Sequence, residues 1–312
     1  MNINGLVKKL PVDVLWQVLR VFRFTTRWYE QIELEYYAKL ADHNISHAKG
    51  QLIPAEELAP VFVLSTGRCG TQTMSALAEL LSDVSSHHEP DPILIESSYL
   101  YFMRLCSAAP SEFWRQLLGA NRDELIRQAV RSEKVYFETN NRMALLCDLV
   151  AEYYPKAKFI HLVRHPFDFV RSGMRRKYYA EHPWDFARIH PRPEDSASEG
   201  WDENSQLEKC AWLWEKTNSH INKVLETLPE ERSLFVRSED IFNNAGDTVR
   251  NVLSFISDSD TPDPKKVENI LGMKLNQQTR GIVPTWKDWP AEEARTVRHY
   301  CEELMKEYGY DI

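Results

Sequence analysis

Four consecutive apolar, β-prone residues, Val61-Phe62-Val63-Leu64, run straight into Ser65-Thr66-Gly67-Arg68-Cys69-Gly70-Thr71-Gln72-Thr73. The helical apolar spacing of Met74, Leu77, Leu80 and Leu81 follows at once. A short run without polar alternation suits a strand buried on both faces of a parallel sheet. Strand, glycine-containing turn and helix in that order make the geometry of a phosphate-binding loop. Backbone N–H groups of the turn and the helix N-terminus converge on one locus that carries partial positive charge. Gly67 and Gly70 permit close approach, and Thr71 and Thr73 add hydroxyl donors. A purely structural turn also explains two glycines at such a junction, so a second motif is needed. This is not a Walker A loop, because Thr71 and Gln72 stand where a lysine and a hydroxyl residue belong, and an ordinary ATPase is disfavoured.

The second motif lies downstream. Ala157-Lys158-Phe159-Ile160-His161-Leu162-Val163 reads as another buried strand and leads into Arg164-His165-Pro166-Phe167-Asp168-Phe169-Val170-Arg171-Ser172. Arg164 falls at the carboxyl end of that strand, the edge of an open α/β sheet where ligands bind. Pro166 opens the next helix, and Ser172 lies on it two turns along. An arginine fork plus a hydroxyl can hold a second phosphate, displaced from the first by roughly the length of a nucleotide. For Arg164 alone, a strand-end arginine satisfying a carboxylate is an equal reading.

Composition sets the bounds. A chain of 312 residues, 43% hydrophobic and 27% charged, is long enough for one large domain or two small ones. Its formal net charge of -8 argues against broad nucleic-acid binding but allows a local basic pocket for a small anion. Five cysteines (Cys69, Cys106, Cys147, Cys210, Cys301), with no zinc-type or disulfide-framework spacing, point to a reducing compartment. No signal peptide or membrane-spanning run is legible, so a Golgi-type anchored enzyme is not expected. From about Leu10 to Leu40, Leu15, Val18, Leu19, Phe22 and Trp28 fall at helical spacing with Arg20, Arg23 and Arg27 interleaved. A helix lying on a membrane surface and a helix packed across the main domain both fit, and we adopt the second.

The pair of motifs resembles that of the PAPS-dependent sulfotransferases, where PAPS is 3′-phosphoadenosine 5′-phosphosulfate. In that family a [KR]xGT-type loop after the first strand binds the 5′-phosphosulfate, and R-x-P with a later serine binds the 3′-phosphate. Arg164, Pro166 and Ser172 match the second pattern. The resemblance runs from about Val61 to Trp289. It includes Leu234-Phe235-Val236-Arg237-Ser238-Glu239-Asp240-Ile241, similar to the late strand and R-x-E-D-L turn, and Thr279-Arg280-Gly281 with Trp286-Lys287, similar to the closing R-K-G…W-K segment. Two departures are Thr279, in place of the first basic residue there, and Gln72, which interrupts the paired threonines of the first loop. The resemblance implies that Gly67, Arg68, Cys69, Gly70, Thr71, Gln72 and Thr73 bind the donor. It further implies that Arg164, Ser172, Arg280 and Gly281 hold its 3′-phosphate, and that Arg68 takes the place of the family's catalytic lysine or arginine, stabilising the bridging oxygen.

Transfer to a hydroxyl also needs a base. Ser85-Ser86-His87-His88-Glu89-Pro90 offers His87, His88 and Glu89. We favour Glu89, with His88 next. Glu89 lies twenty-one residues beyond Arg68, similar to the spacing in tyrosylprotein and several carbohydrate sulfotransferases. Further along, Glu138 and Asn140 end a strand from Lys134 and are candidates for acceptor contact or for capping a helix that begins near Asn141. Residues 178–203 form an acceptor-side lid or a variable loop, and Trp212, Trp214 and Ile221 are assigned to helix packing.

These readings predict an α/β fold: a three-layer P-loop-type core with a central, mainly parallel sheet flanked by helices (residues 56–312), preceded by an N-terminal helical extension (residues 1–55). The expected activity is sulfonate transfer from PAPS, leaving PAP, to a hydroxyl of a carbohydrate or glycolipid, without a metal and without nucleic acid. The expected location is cytoplasmic, with peripheral membrane contact through the N-terminal helix as the variant. A catalytically silent nucleotide-binding protein and a P-loop phosphotransferase are the alternatives; the latter needs magnesium and a Walker-type lysine.

Overall fold

Phe62 sits between Val61 and Val63, and these three side chains divide between two layers. The computed structural model describes residues 53–105, 109–243, 245–259, 262–273 and 286–311. Strand β1 (Val61–Leu64) is buried along its whole length. Val61 and Val63 join a cluster with Met74, Leu77, Val252, Leu253 and Ile270 on one face. On the other, Phe62 stacks on Phe159 at 6.3 Å and meets Tyr136 and Tyr154 at 6.2 Å. A strand apolar on both sides can only be central, and β1 is.

After β1 come α1 (Thr71–Ala78), β2 (Val84–His88), α2 (Ile95–Phe102), α3 (Ser111–Arg131), β3 (Val135–Thr139), α4 (Cys147–Tyr153), β4 (Lys158–Val163) and α5 (Pro166–Arg175). The remaining elements are α6 (Gln206–Leu225), β5 (Ser233–Arg237), α7 (Ser238–Asn243), α8 (Ala245–Ile256), α9 (Pro264–Gly272) and α10 (Ala291–Glu307). The sheet order is β2-β3-β1-β4-β5, with every pairing parallel. Side chains of α1, α8 and α9 cover one face, while α5, α6 and α10 build a second cluster around Trp214, Phe169 and Val297. This is the three-layer α/β core expected. Pro54–Ile312 forms one compact unit. The N-terminal amphipathic segment lies outside the described residues, which open with a 3-10 turn at Ala55–Glu57. No helix among the described residues is long and apolar enough to cross a membrane.

Chain order places the ligand-binding edge. From β1 the chain crosses to the far edge at β2, returns to β3 beside β1, and then places β4 on β1's other side. That reversal opens a crevice at the carboxyl end of β1. Position Val63 pairs with both Thr139 and Ile160, so the ends of β3, β1 and β4 lie abreast.

One local expectation changes. The helix expected near Asn141 begins as a 3-10 turn at Met143–Leu146 and becomes α-helical at Cys147. Asn140 still acts as its cap in part: Oδ1 accepts the Arg142 N–H at 2.9 Å. Residues 178–203 carry 3-10 turns at Asp185–Ala187 and Ser196–Ser198; Tyr179 Oη donates to the Ile189 carbonyl at 2.6 Å, while Trp184 and Phe186 stay exposed.

Candidate active site

The loop after β1 folds as its composition requires. Gly67 and Gly70 have φ of 76° and 89°, the left-handed region open to glycine. A Cβ at Gly67 would also lie 3.3 Å from Asn141 Nδ2, so the β3 end presses against the loop. Ser65 Oγ accepts the Gly67 N–H at 3.1 Å, and Cys69, buried, donates its thiol to the Gly67 carbonyl at 3.1 Å. Burial pushes the Cys69 thiol up to about 11, which leaves it a packing residue of the loop rather than a nucleophile. Gly70 caps α1, whose first three N–H groups have no intrahelical acceptor.

Arg164, at the end of β4, reaches across to this loop: Nη1 donates to the Arg68 carbonyl at 2.9 Å. Its own carbonyl accepts the Trp214 indole N–H at 2.8 Å. Arg68 Nε and Ser172 Oγ are 3.5 Å apart, at the limit of a hydrogen bond, so the two sequence motifs meet. Both line one cleft of 730 Å³, with Gly70, Thr71, Gln72 and Thr73 at one wall and Asp168, Arg171, Ser172 and Arg175 at another. Phe242, Leu271 and Met273 add an apolar side. Four arginines against Asp168 and Glu239 leave the cleft locally basic on an acidic chain. Burial first, and then the Arg176 guanidinium, hold Arg68 below its ordinary value.

The proposed base stands two strands away. Glu89 follows β2 with its carboxylate exposed and its N–H donating to the Thr139 carbonyl at 3.0 Å. Its φ is 47°, and that of Arg68 is 61°. Such backbone costs an ordinary residue about 1–3 kcal/mol and is retained where surroundings over-determine it. His88 Nδ1 meets Thr139 Oγ1 at 2.8 Å, and His87 stacks on Tyr136 at 4.8 Å with Nε2 on Ser85 Oγ. Neither Glu89 nor His88 lines the arginine cleft itself. The link runs through side chains the sequence reading did not single out. Arg142 has Glu89 and Tyr178 in electrostatic reach, and Tyr178 is likewise in reach of Arg68.

Glu138, expected to contact an acceptor or cap a helix, is buried and fully engaged by Arg122, Tyr136 and Asn140. Arg171 and Arg175 carried a legible signal, the i, i+3, i+4, i+7 stripe Asp168-Arg171-Ser172-Arg175 on one face of α5. Arg142 carried none, since its nearness to the loop depends on β3 pairing with β1. Arg280 and Gly281 lie outside the described residues. Trp286, within them, stacks on His165 at 5.4 Å. No group of three or more His, Cys, Asp or Glu among the described residues is placed to hold a metal ion. A second cleft of 710 Å³, between α2, α6 and Arg192, contains none of the expected site residues.

A protein-family model described as the sulfotransferase family matches residues 60–261, which hold both motifs and Glu89. The chain belongs to the sulfotransferase family. Among solved structures, the sulfotransferase domain from the curacin biosynthetic pathway is 15% identical. The alignment covers 84% of this chain and 100% of that domain, with a TM-score of 0.51. A sulfotransferase from Mycobacterium avium is 12% identical over 88% of this chain and 82% of its own, with a TM-score of 0.52. At such identities the likeness is one of fold. No curated protein matches this sulfotransferase by sequence.

Proposed function

We propose that this sulfotransferase takes the sulfonate of PAPS and transfers it to an acceptor hydroxyl, with a carbohydrate or glycolipid as the acceptor class. The observation that carries the reading is the single cleft shared by Arg68, the α1 N-terminus, Arg164 and Ser172. A ligand with two separated phosphate-type groups suits it better than ATP held at one end. Its chemistry also fits PAPS: donors and cations on two walls, an apolar side for a base, and no lysine of Walker type. The amides of Thr71, Gln72 and Thr73 would hold the phosphosulfate end, and Arg164 with Ser172 the 3′-phosphate, joined by Arg280 and Gly281. Bound PAPS supplies an activated sulfonate whose bridging S–O bond breaks as the acceptor oxygen bonds to sulfur. Arg68 stabilises charge on the departing bridging oxygen. Glu89 accepts the hydroxyl proton, with His88 as the rival base. Cysteine usage points to the cytoplasm on this reading, with peripheral membrane contact through the basic N-terminal segment as the variant.

The test is incubation with PAPS labelled at the sulfonate and a panel of hydroxyl acceptors. Label should move to an acceptor. Arg68→Ala should lower kcat by about 10²–10³, and Glu89→Gln by about 10²–10⁴. Retention of the Glu89→Gln rate with loss in His88→Ala reassigns the base. Tight PAP binding without transfer to any acceptor makes the protein a nucleotide-binding module, and phosphate transfer from ATP with magnesium makes it a phosphotransferase.

A further inference from the structure

Arg142 follows the end of β3, which touches the Glu89 turn on one side and the phosphate-binding loop on the other. Its N–H is fixed by Asn140 Oδ1 at 2.9 Å, and Asn140 Nδ2 in turn donates to Glu138 Oε1 at 3.1 Å and to the Ile93 carbonyl at 3.3 Å. One residue back, Asn141 presses on Gly67; three back, the Thr139 carbonyl holds the Glu89 N–H. The backbone is therefore fixed on both sides.

The guanidinium itself is not consumed. It is half-buried, and among the described residues its one side-chain hydrogen bond runs from Nη1 to the Ala187 carbonyl at 3.2 Å. It forms no ion pair among the described residues, whereas Arg122 is paired with Glu138 at 2.8 Å and Arg188 with Asp185 at 2.7 Å. Arg188 also covers the Tyr178 ring at 3.6 Å, so it serves the wall rather than the site. Glu89 and Glu96, the carboxylates in electrostatic reach of Arg142, are exposed and form no ion pair with it. Taking a cation partly out of water with one carbonyl as its partner is unfavourable unless a ligand completes the set. A neutral sugar hydroxyl does not call for a guanidinium there. A carboxylate or sulfate does, because its two oxygens match the planar donor fork.

We propose that Arg142 binds an oxyanion carried by the acceptor beside the hydroxyl that is sulfated, so that the acceptor is an acidic molecule. This rests on the sulfotransfer reading above and narrows its acceptor class. The carboxylate and sulfate forms share the same chemistry at Arg142.

Three matched probes test it: methyl β-D-glucuronide, methyl β-D-glucoside 6-sulfate and neutral methyl β-D-glucoside. In the wild-type protein at least one acidic probe should exceed the neutral one by about tenfold or more in kcat/KM, the ratio a charge-assisted hydrogen bond gives. Which acidic probe leads separates carboxylate from sulfate. Arg142→Met should bring the ratio to about one, and Arg142→Lys should keep part of it. If none of the three is sulfated, calorimetry on the PAP-loaded protein should show the same preference in binding. Equal treatment of acidic and neutral probes by the wild type, or no binding of any, overturns the proposal. An equal fall for all probes in Arg142→Met does so too, and assigns Arg142 to the donor. Failure of the base reading is separate: transfer persisting in Glu89→Gln removes Glu89 as base and leaves the acidic preference standing.

Discussion

Arg122 has no exposed side-chain surface, and its fork meets a carboxylate with none either. Nε and Nη2 donate to the two oxygens of Glu138 at 2.8 and 3.0 Å, while Tyr136 Oη and Asn140 Nδ2 complete that carboxylate's shell. The same Nη2 reaches the carbonyls of Pro92 at 3.0 Å and Pro90 at 3.4 Å, so the turn that carries Glu89 hangs from a buried cation. Removing one partner strands the other charge. We expect Arg122→Met to lower stability by about 3–5 kcal/mol in urea unfolding, with Arg122→Met/Glu138→Leu recovering much of the loss. Stability unchanged in the single variant would mean that the pair contributes nothing. At this scale the sequence was only half legible. Arg68, Arg164 and Ser172 could be read because their neighbours in sequence form motifs. The partnership of Glu138 with Arg122 could not, because a strand and a preceding helix supply its two halves and no spacing rule joins them.

Helices α5 and α6 meet at a glycine. A Cβ on Gly173 would fall 2.9 Å from Cys210 Sγ, closer than real side chains come, and 3.1 Å from Tyr178 Cδ2, a tight contact. Because Arg171, Ser172 and Arg175 share this helix, its seat on α6 sets one wall of the cleft. Gly173→Ala should destabilise by about 1–3 kcal/mol, visible as a lower Tm, and should weaken PAP binding in calorimetry. Adding Cys210→Ala removes the closer clash and should recover part of both; a Gly173→Ala protein with wild-type Tm and PAP affinity refutes the close-packing account. Elements read well where one signal dominated. The apolar run of β1, the proline opening α5 and the aromatic periodicity of α6 matched the structure to within a residue. Strand β2 was missed as a strand because Ser85, Ser86, His87 and His88 are polar on both faces. It is an edge strand, and one-sided pairing leaves it half-exposed. The turn at Met143 escaped because Asn140 caps it from three residues away rather than from the adjoining position.

For the whole molecule, histidine burial sets the response to acid. His161, on β4, donates Nε2 to Asn218 Oδ1 at 3.0 Å, an assignment fixed by Asn218 Nδ2 donating to the Trp214 carbonyl. Burial pushes it down to about 4 against that hydrogen bond. Burial likewise lowers His87, His165, His182 and His220. A histidine lowered in the folded state takes up its proton first in the unfolded chain, so stability is full above about 6.5 and falls as pH drops toward 4. His161 alone accounts for roughly 3 kcal/mol of that fall. Calorimetry at pH 7 and pH 4.5 should show Tm dropping by several degrees, and a His161→Asn protein should lose less between the two. A Tm that does not move across that range would exclude the effect. The central place of β1 has another consequence, one of timing. Its two neighbours start at Val135 and Lys158, so a chain leaving the ribosome carries Val61–Leu64 unpaired until Thr139 has emerged, and open along its second edge until Val163 follows. The phosphate-binding loop is thus among the first parts of the site to be synthesised and among the last to acquire its shape, and until then the nascent chain holds an open, apolar strand that invites premature association.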